Sequence, residues 1–364
     1  MMTHRTVMLT LLGTLALTLV AGCPFRKERI TVMRDGRVRM QLEYESPSEN
    51  FEGFDALPSA DDGWSLARRV EKEDKPDEKR YTIEADRTFA PDEPLPQNLA
   101  SPGDRDADLA LQFPTTLTID DRADGTYYTF RRVYTPRRWA YVQHWYDTFV
   151  DDQVKKLGEK KVEELTRDEK EQIVQALAAA EAFKQIEFTD QALNACGAGL
   201  KPETGLLARR AMLSLYENEF DHFSAVLDAC EPLDKDAQDQ CFEQEVNAIL
   251  EQGYDTYVQS LVDSGLSRAQ FACFEHALDR ESRYYENTKK LGGNGFEIDV
   301  EMPGTIVAHN AEKEHTDRND RITHLTWQFD GTAFRDRSFE MLAVSRVDRD
   351  APARDTGSDE NERR

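Results

Sequence analysis

The run richest in chemically capable side chains is TYYTFRRVYTPRRWAYVQHWY, residues 126–146. It interleaves Arg131, Arg132, Arg137 and Arg138 with Tyr127, Tyr128, Phe130, Tyr134, Trp139, Tyr141, Trp145 and Tyr146. Guanidinium groups beside aromatic rings suit stacking on a sugar, a base or a headgroup. The plainer reading is a core junction between a strand and a helix, with the arginines neutralising nearby acids. Arg131, Arg132, Arg137, Arg138, Trp139 and Trp145 are therefore the candidate ligand-facing or membrane-facing surface.

The five cysteines divide into one and four. Cys23 closes an apolar run, and its thiolate is a nucleophile able to take a lipid. Cys196, Cys230, Cys241 and Cys273 lie in the middle of the chain, with no CxxC pair among them. Their spacings of 34, 11 and 32 residues suit cross-links between helices better than a zinc site of four thiolates. An even number in an exported chain predicts two disulfides with any of three connectivities; buried free thiols are the alternative.

No other motif assigns a reaction. The chain has no P-loop, no GxGxxG after a strand, no HExxH and no GxSxG. The seven histidines are scattered, and only His309 and His324 fall on strands that can be neighbours. Carboxylate pairs such as Asp120-Asp121, Asp151-Asp152 and Glu163-Glu164 are uninformative among 70 acidic residues. DDRADG, residues 120–125, lacks the bidentate glutamate of a calcium loop and reads as a hairpin turn. No catalytic residue, cofactor or metal is assigned, and a non-enzymatic protein is expected. A net charge of −24 repels phosphate backbones, which argues against nucleic acid as a partner.

The elements that must position these residues run strands, helices, strands. RVRMQLEY puts Val38, Met40, Leu42 and Tyr44 on one face, with Ile30–Met33 as its hairpin partner across Asp35-Gly36. RYTIEA and the hairpin around Asp124-Gly125 continue the alternation, and EKEDKPDEKR reads as a solvated hairpin tip. From Trp139 the period becomes helical. Thr166 to Glu169 forms a capping-box pattern. Further helices are expected at about 204–217, 219–229 and 235–262, and a last one should end at a left-handed cap on Gly292-Gly293. Strand rhythm returns with Phe296, Ile298, Val300 and Met302, then Leu325, Trp327 and Phe329, then Phe339, Met341 and Ala343. The fold class expected is α+β: an antiparallel β-sheet domain, 30–137 plus 293–347, interrupted by a large all-α helical insert at 138–292. Residues 348–364 carry too few apolar side chains to fold.

Residues 1–22 place Arg5 before about fourteen mostly apolar residues, too short a run for a membrane span and right for a signal-peptide h-region. Val20-Ala21-Gly22-Cys23 resembles the lipobox of bacterial lipoproteins. The resemblance implies that residues 1–22 are a lipoprotein signal peptide, that cleavage falls between Gly22 and Cys23, and that Cys23 is lipidated. Residues 23–29 would then be the anchor and a short tether. Pro24 is not the aspartate that favours inner-membrane retention in enterobacterial lipoproteins, so the periplasmic face of the outer membrane is the expected address.

A second resemblance lies in the strands. FEIDVEMPGTIVAHNA, ITHLTWQFDG and FEMLAVS, together with ITVMRDGRVRMQLEY, are similar to the LppM-type domain of bacterial lipoproteins, through Met302-Pro303-Gly304, Asn310, Trp327 and Ala343-Val344-Ser345. It covers about 70 of the 364 residues. It implies an envelope-facing α+β domain with a lipid or glycolipid as ligand, and no catalytic residue comes with it. The function expected is a membrane-anchored envelope lipoprotein of binding or scaffolding type. The alternatives are a protein–protein interaction module working through the insert, and a periplasmic hydrolase with a dispersed site.

Overall fold

The computed structural model describes residues 24–51, 56–72, 79–101, 107–151, 166–196, most of 203–213, residues 259 and 263, 265–316 and 322–349. Residues 1–23 with Cys23, Cys230, Cys241, the hairpin tip 73–78, the helix expected at 219–229, that expected at 235–262 apart from residue 259, and the tail beyond 349 lie outside the described residues. The described chain forms two compact units, one of residues 138–286 and one of 24–137 with 287–349.

The larger unit holds eleven strands in two sheets. They are β1 (Phe25–Val32), β2 (Val38–Ser46), β3 (Ser65–Lys72), β4 (Lys79–Phe89), β5 (Thr115–Arg122), β6 (Gly125–Tyr134), β7 (Gly295–Met302), β8 (Thr305–His309), β9 (Lys313–Thr316), β10 (Thr323–Asp330) and β11 (Phe339–Val347). The first sheet has the order β3-β4-β2-β1-β7-β10-β9, and the second the order β5-β6-β11-β8. This corrects the expectation of one antiparallel sheet. Two sheets share one apolar cluster, and β1 pairs with β7 in parallel, Phe25 opposite Gly295 through Thr31 opposite Glu301. That pair joins the early strands to the late ones, so neither segment makes the sheet alone.

The alternation read from the sequence becomes the inside and outside of this sandwich. Val38, Met40, Leu42 and Tyr44 of β2 and Phe296, Ile298, Val300 and Met302 of β7 are all buried. Tyr128, Phe130 and Tyr134 of β6 and Met341 and Ala343 of β11 cover them from the other sheet. Strand β3 has no sequence alternation because it is an edge strand exposed on both faces. Strand β9 is likewise fully exposed.

Two turns join the sheets, one at Pro303-Gly304 and one at Asp330-Gly331. Each carries the chain from one sheet to the other, β7 to β8 and β10 to β11. Gly304 has φ +81 and lies against the backbone of Arg346, so a side chain there meets both strain and a wall. Asn310 ties the two crossings together. Its Oδ1 accepts from Trp327 Nε1 at 3.1 Å and from the Leu342 backbone at 2.9 Å, while its Nδ2 donates to the Glu340 carbonyl at 2.8 Å.

The smaller unit is built on α1 (Ala140–Tyr146), which passes into a π-helical turn (Asp147–Asp151), on α2 (Arg167–Cys196), and on α3 (Arg268–Leu291), whose last turn belongs to the sheet unit. The capping box forms: Thr166 Oγ1 accepts from the Glu169 backbone at 3.3 Å, and Glu169 Oε2 accepts from the Thr166 backbone at 2.9 Å. Ser267 and Gln270 make the same exchange at the start of α3. Trp139, Phe188, Leu193, Phe274, Leu278 and Tyr285 are the core of this unit. Helix α3 ends differently from expectation, because neither Gly292 nor Gly293 has a positive φ. Space requires glycine at Gly331 instead, where a Cβ would run into the Leu291 backbone carbonyl, whereas at Gly292 it would displace only the end of the Arg335 side chain. Among the described residues no helix is long and apolar enough to cross a membrane.

Cys196 and Cys273 form a disulfide with Cα atoms 5.8 Å apart, joining the end of α2 to the second turn of α3. It closes a loop with a sequence separation of 77. Chain-entropy reasoning gives such a loop about 4 kcal/mol. Replacing both cysteines by alanine should lower the unfolding free energy of the helical unit by about that amount, read by urea denaturation followed through helical circular dichroism. An unchanged midpoint would show that the bridge constrains nothing. Asn310→Ala should cost about 1 kcal/mol in urea denaturation of the sheet unit, since two donors and one carbonyl lose their partner at a position that is itself exposed.

Candidate functional site

The outer face of the seven-stranded sheet carries a cluster that the pleat assembles. Buried residues of β7 alternate with Glu297, Asp299 and Glu301, which point outward. On β10 the outward residues are His324, Thr326 and Gln328, and on β1 they are Arg29 and Thr31. Register then sets a straight row across four strands: Thr31 opposite Glu301, Glu301 opposite His324, and His324 opposite His315. Asp299 is one diagonal step away.

The groups in this row meet. His324 Nδ1 is 2.9 Å from Asp299 Oδ2 and 3.6 Å from Glu301 Oε1. Thr31 Oγ1 donates to Glu301 Oε2 at 2.8 Å, which leaves Oε1 facing the histidine. Arg29 Nε stands off at 3.5 Å from Glu301 and 3.9 Å from Asp299, with its side chain 58% exposed. Asp299 Oδ1 is buried and has no hydrogen-bond partner. One ligand atom from each of Asp299, Glu301 and His324 lies within 4.8 Å of the others. Two carboxylates and an imidazole are the donor set of a divalent transition-metal site and also of proton-transfer chemistry. His309 is not part of it: its Nε2 lies 3.2 Å from Glu314, and it sits on β8 in the other sheet.

The arginine and tryptophan run does not form one surface, which corrects the expectation for three of its six residues. Arg132, Arg137 and Trp139 are buried. Arg137 is consumed by structure, with Nε donating to Thr288 Oγ1 at 2.8 Å and a terminal nitrogen donating to the Leu109 carbonyl at 3.0 Å. Trp139 stacks on Tyr285 at 5.2 Å, and Trp145 stacks on Phe183 at 4.1 Å. Arg131 and Arg138 are exposed, the first 2.6 Å from Glu340 and the second paired with Glu281. The reason is the strand period: Phe130, Arg132 and Tyr134 share the inner face of β6 while Arg131 takes the outer one. Asp120, Asp124 and Gly125 lie at the hairpin between β5 and β6, as read.

A charged cluster inside the sandwich escaped the sequence reading, although its signal is present. FRKERITV alternates so that Arg26 and Glu28 fall on the same face as Ile30 and Val32. Glu28 forms an ion pair with Arg26 and accepts from Arg132 at 2.6 Å. The side chains of Glu28 and Arg132 are fully buried, and Arg26 is nearly so. Both guanidiniums flank the Phe113 ring, at 5.0 and 4.9 Å. Burial alone would raise the Glu28 carboxyl; the two arginines outweigh it and hold the group below the ordinary carboxylate range. Burial would likewise lower Arg26 and Arg132, and Glu28 reverses the direction in each. Burial, followed by the Glu28 charge, pushes the Tyr134 hydroxyl up.

Comparison with protein-family models, with curated proteins and with solved structures finds no match to this chain.

Glu28→Gln leaves two buried arginines without an anion and should destabilise the sheet unit by about 3–5 kcal/mol at pH 7. Because the folded-state pKa of Glu28 is depressed, its contribution is present above the unfolded value of about 4.3 and is lost as pH falls through the lower one. The gap between wild type and Glu28→Gln should therefore narrow in urea titrations taken from pH 5 downward. A gap that is constant or widens would show that the charge on Glu28 is not what stabilises the cluster.

Proposed function

We propose that this chain is a bacterial envelope lipoprotein of binding or scaffolding type, held to the membrane through a lipid on Cys23. The observation that carries the reading is the spacing between Val20-Ala21-Gly22-Cys23 and the first strand. β1 begins at Phe25, so only Pro24 stands between the cysteine and the sheet. The tether is thus shorter than the segment 23–29 expected from the sequence. Two residue steps span at most about 7 Å, which holds the sheet unit against the headgroups when Cys23 carries acyl chains. Residues 1–22 are then the signal peptide, and the outer-membrane periplasmic face is the address. The domain is a sheet unit interrupted by an all-α insert, and the partner at the membrane is lipid. The strand resemblance to LppM-type domains gives the ligand class, a lipid or glycolipid. A Cys196–Cys273 disulfide suits the oxidising compartment this address implies.

Cys23→Ser should move the full chain from the membrane pellet to the soluble fraction and abolish incorporation of labelled palmitate. Unchanged retention and labelling would overturn the anchor. Native mass spectrometry of the anchored protein in detergent separates binding from scaffolding: an adduct of lipid mass beyond the acylated cysteine supports the first, and its absence moves the reading to protein partners.

A further inference from the structure

We propose that the outer face of the seven-stranded sheet is a binding site for one divalent transition-metal ion, zinc first, with Asp299, Glu301 and His324 as ligands and His315 as the fourth. The site stands on geometry independent of the anchor.

Three strands supply the ligands from rigid positions. Glu301, His324 and His315 lie in register on β7, β10 and β9. Cross-strand partners have Cβ atoms about 4.5–5.5 Å apart on one face, so His315 stands beside His324, next to the three residues whose ligand atoms already converge. The ligand atoms of Asp299, Glu301 and His324 already lie within 4.8 Å of one another. Tetrahedral zinc with bonds of about 2.0–2.1 Å places its ligands about 3.3 Å apart. A closure of at most about 1.5 Å through side-chain rotation is enough.

The surroundings support these ligands. Thr31 holds one oxygen of Glu301 at 2.8 Å and aims the other at His324. Such a hydrogen bond to the far side of a ligand fixes its orientation and raises its basicity. Asp299 Oδ1 is buried and without a hydrogen-bond donor, an arrangement that a cation resolves. Arg29 is the nearest cation, but its contacts of 3.5 and 3.9 Å exceed a charge-assisted hydrogen bond. An exposed pair of that kind is worth about 0–1 kcal/mol, so the guanidinium gives way to an ion at small cost. Two carboxylates balance the charge of a divalent cation when both histidines are neutral. The imidazoles decide the class: nitrogen donors suit zinc, copper and nickel, whereas calcium and magnesium take oxygen.

The test uses the full chain in detergent, stripped with chelator and titrated with Zn²⁺ by calorimetry, with Cu²⁺ as the spectroscopic probe. Wild type should bind one tight equivalent. His324→Ala and Glu301→Gln should each weaken that equivalent by tenfold or more, and His315→Ala by several-fold. His309→Ala, on the other sheet, should change nothing. Electron paramagnetic resonance of the copper form should show two imidazole nitrogens in wild type and one in His315→Ala. Asp299→Asn keeps side-chain size, so it separates lost ligation from lost folding and should also cost tenfold. Wild-type affinity in His324→Ala and Glu301→Gln would overturn the site, as would a wild-type protein that retains no ion.

Discussion

One carboxylate between two guanidiniums organises the sheet unit. Glu28 lies on β1, flanked by β2 and β7 in the first sheet, and Arg132 lies on β6, flanked by β5 and β11 in the second. Their contact at 2.6 Å is the point where the two layers are held in one relative position. An apolar interface tolerates sliding by a residue pair at modest cost. A buried charge does not, because any displacement leaves it without its counter-charge in a medium that solvates it poorly. The cluster carries one acid against two bases. Its surplus positive charge lies over the faces of Phe113 and Tyr44, where ring quadrupoles offset part of the desolvation. Thr115 and Tyr134 take further donors of Arg132. Such a triad adds little net stability over an apolar core, and its contribution here is to register.

The same strand ties the chain together in sequence. β1 is central only because β7 adds to it in parallel, and Thr31 and Glu301, 270 residues apart, are hydrogen-bonded across that pair. Residues 138–286 fold as a separate compact unit between the two contributions. The interior of β1 thus joins the two sheets, and its exterior supplies Thr31 and Arg29 to the acid and histidine cluster. Dry and wet faces of one strand each carry a charged cluster. The pleat separates them by alternation alone.

Much of this was legible. The strand alternation of β2, β6, β7 and β10, the Asp35-Gly36 and Asp124-Gly125 hairpins, and the capping box at Thr166 all rest on short-range rules, where the sequence neighbours are the physical neighbours. What failed was whatever needed a partner far along the chain. β3 hides because an edge strand buries neither face and so leaves no period. Pro303-Gly304 reads as a turn, but a turn motif does not say which sheet receives the next strand. Arg132, Arg137 and Trp139 look like a surface because a composition-rich run ignores which way each side chain points. Of the histidines, His324 meets Asp299 and faces His315 across the β9–β10 ladder, where the sequence pairs it with His309.

By itself, the amino-acid sequence determined the local elements and the inward and outward sets of most strands. These follow from periodicity, turn chemistry and capping, all of which act within a few residues. Only the tertiary structure decided that there are two sheets, that β1 and β7 run parallel, that Cys196 joins Cys273, and that two neighbouring strands align two acids and a histidine on one face. Those outcomes depend on register between distant segments. Register is set by burying β1's charges and apolar residues together, a constraint no single stretch of the chain contains.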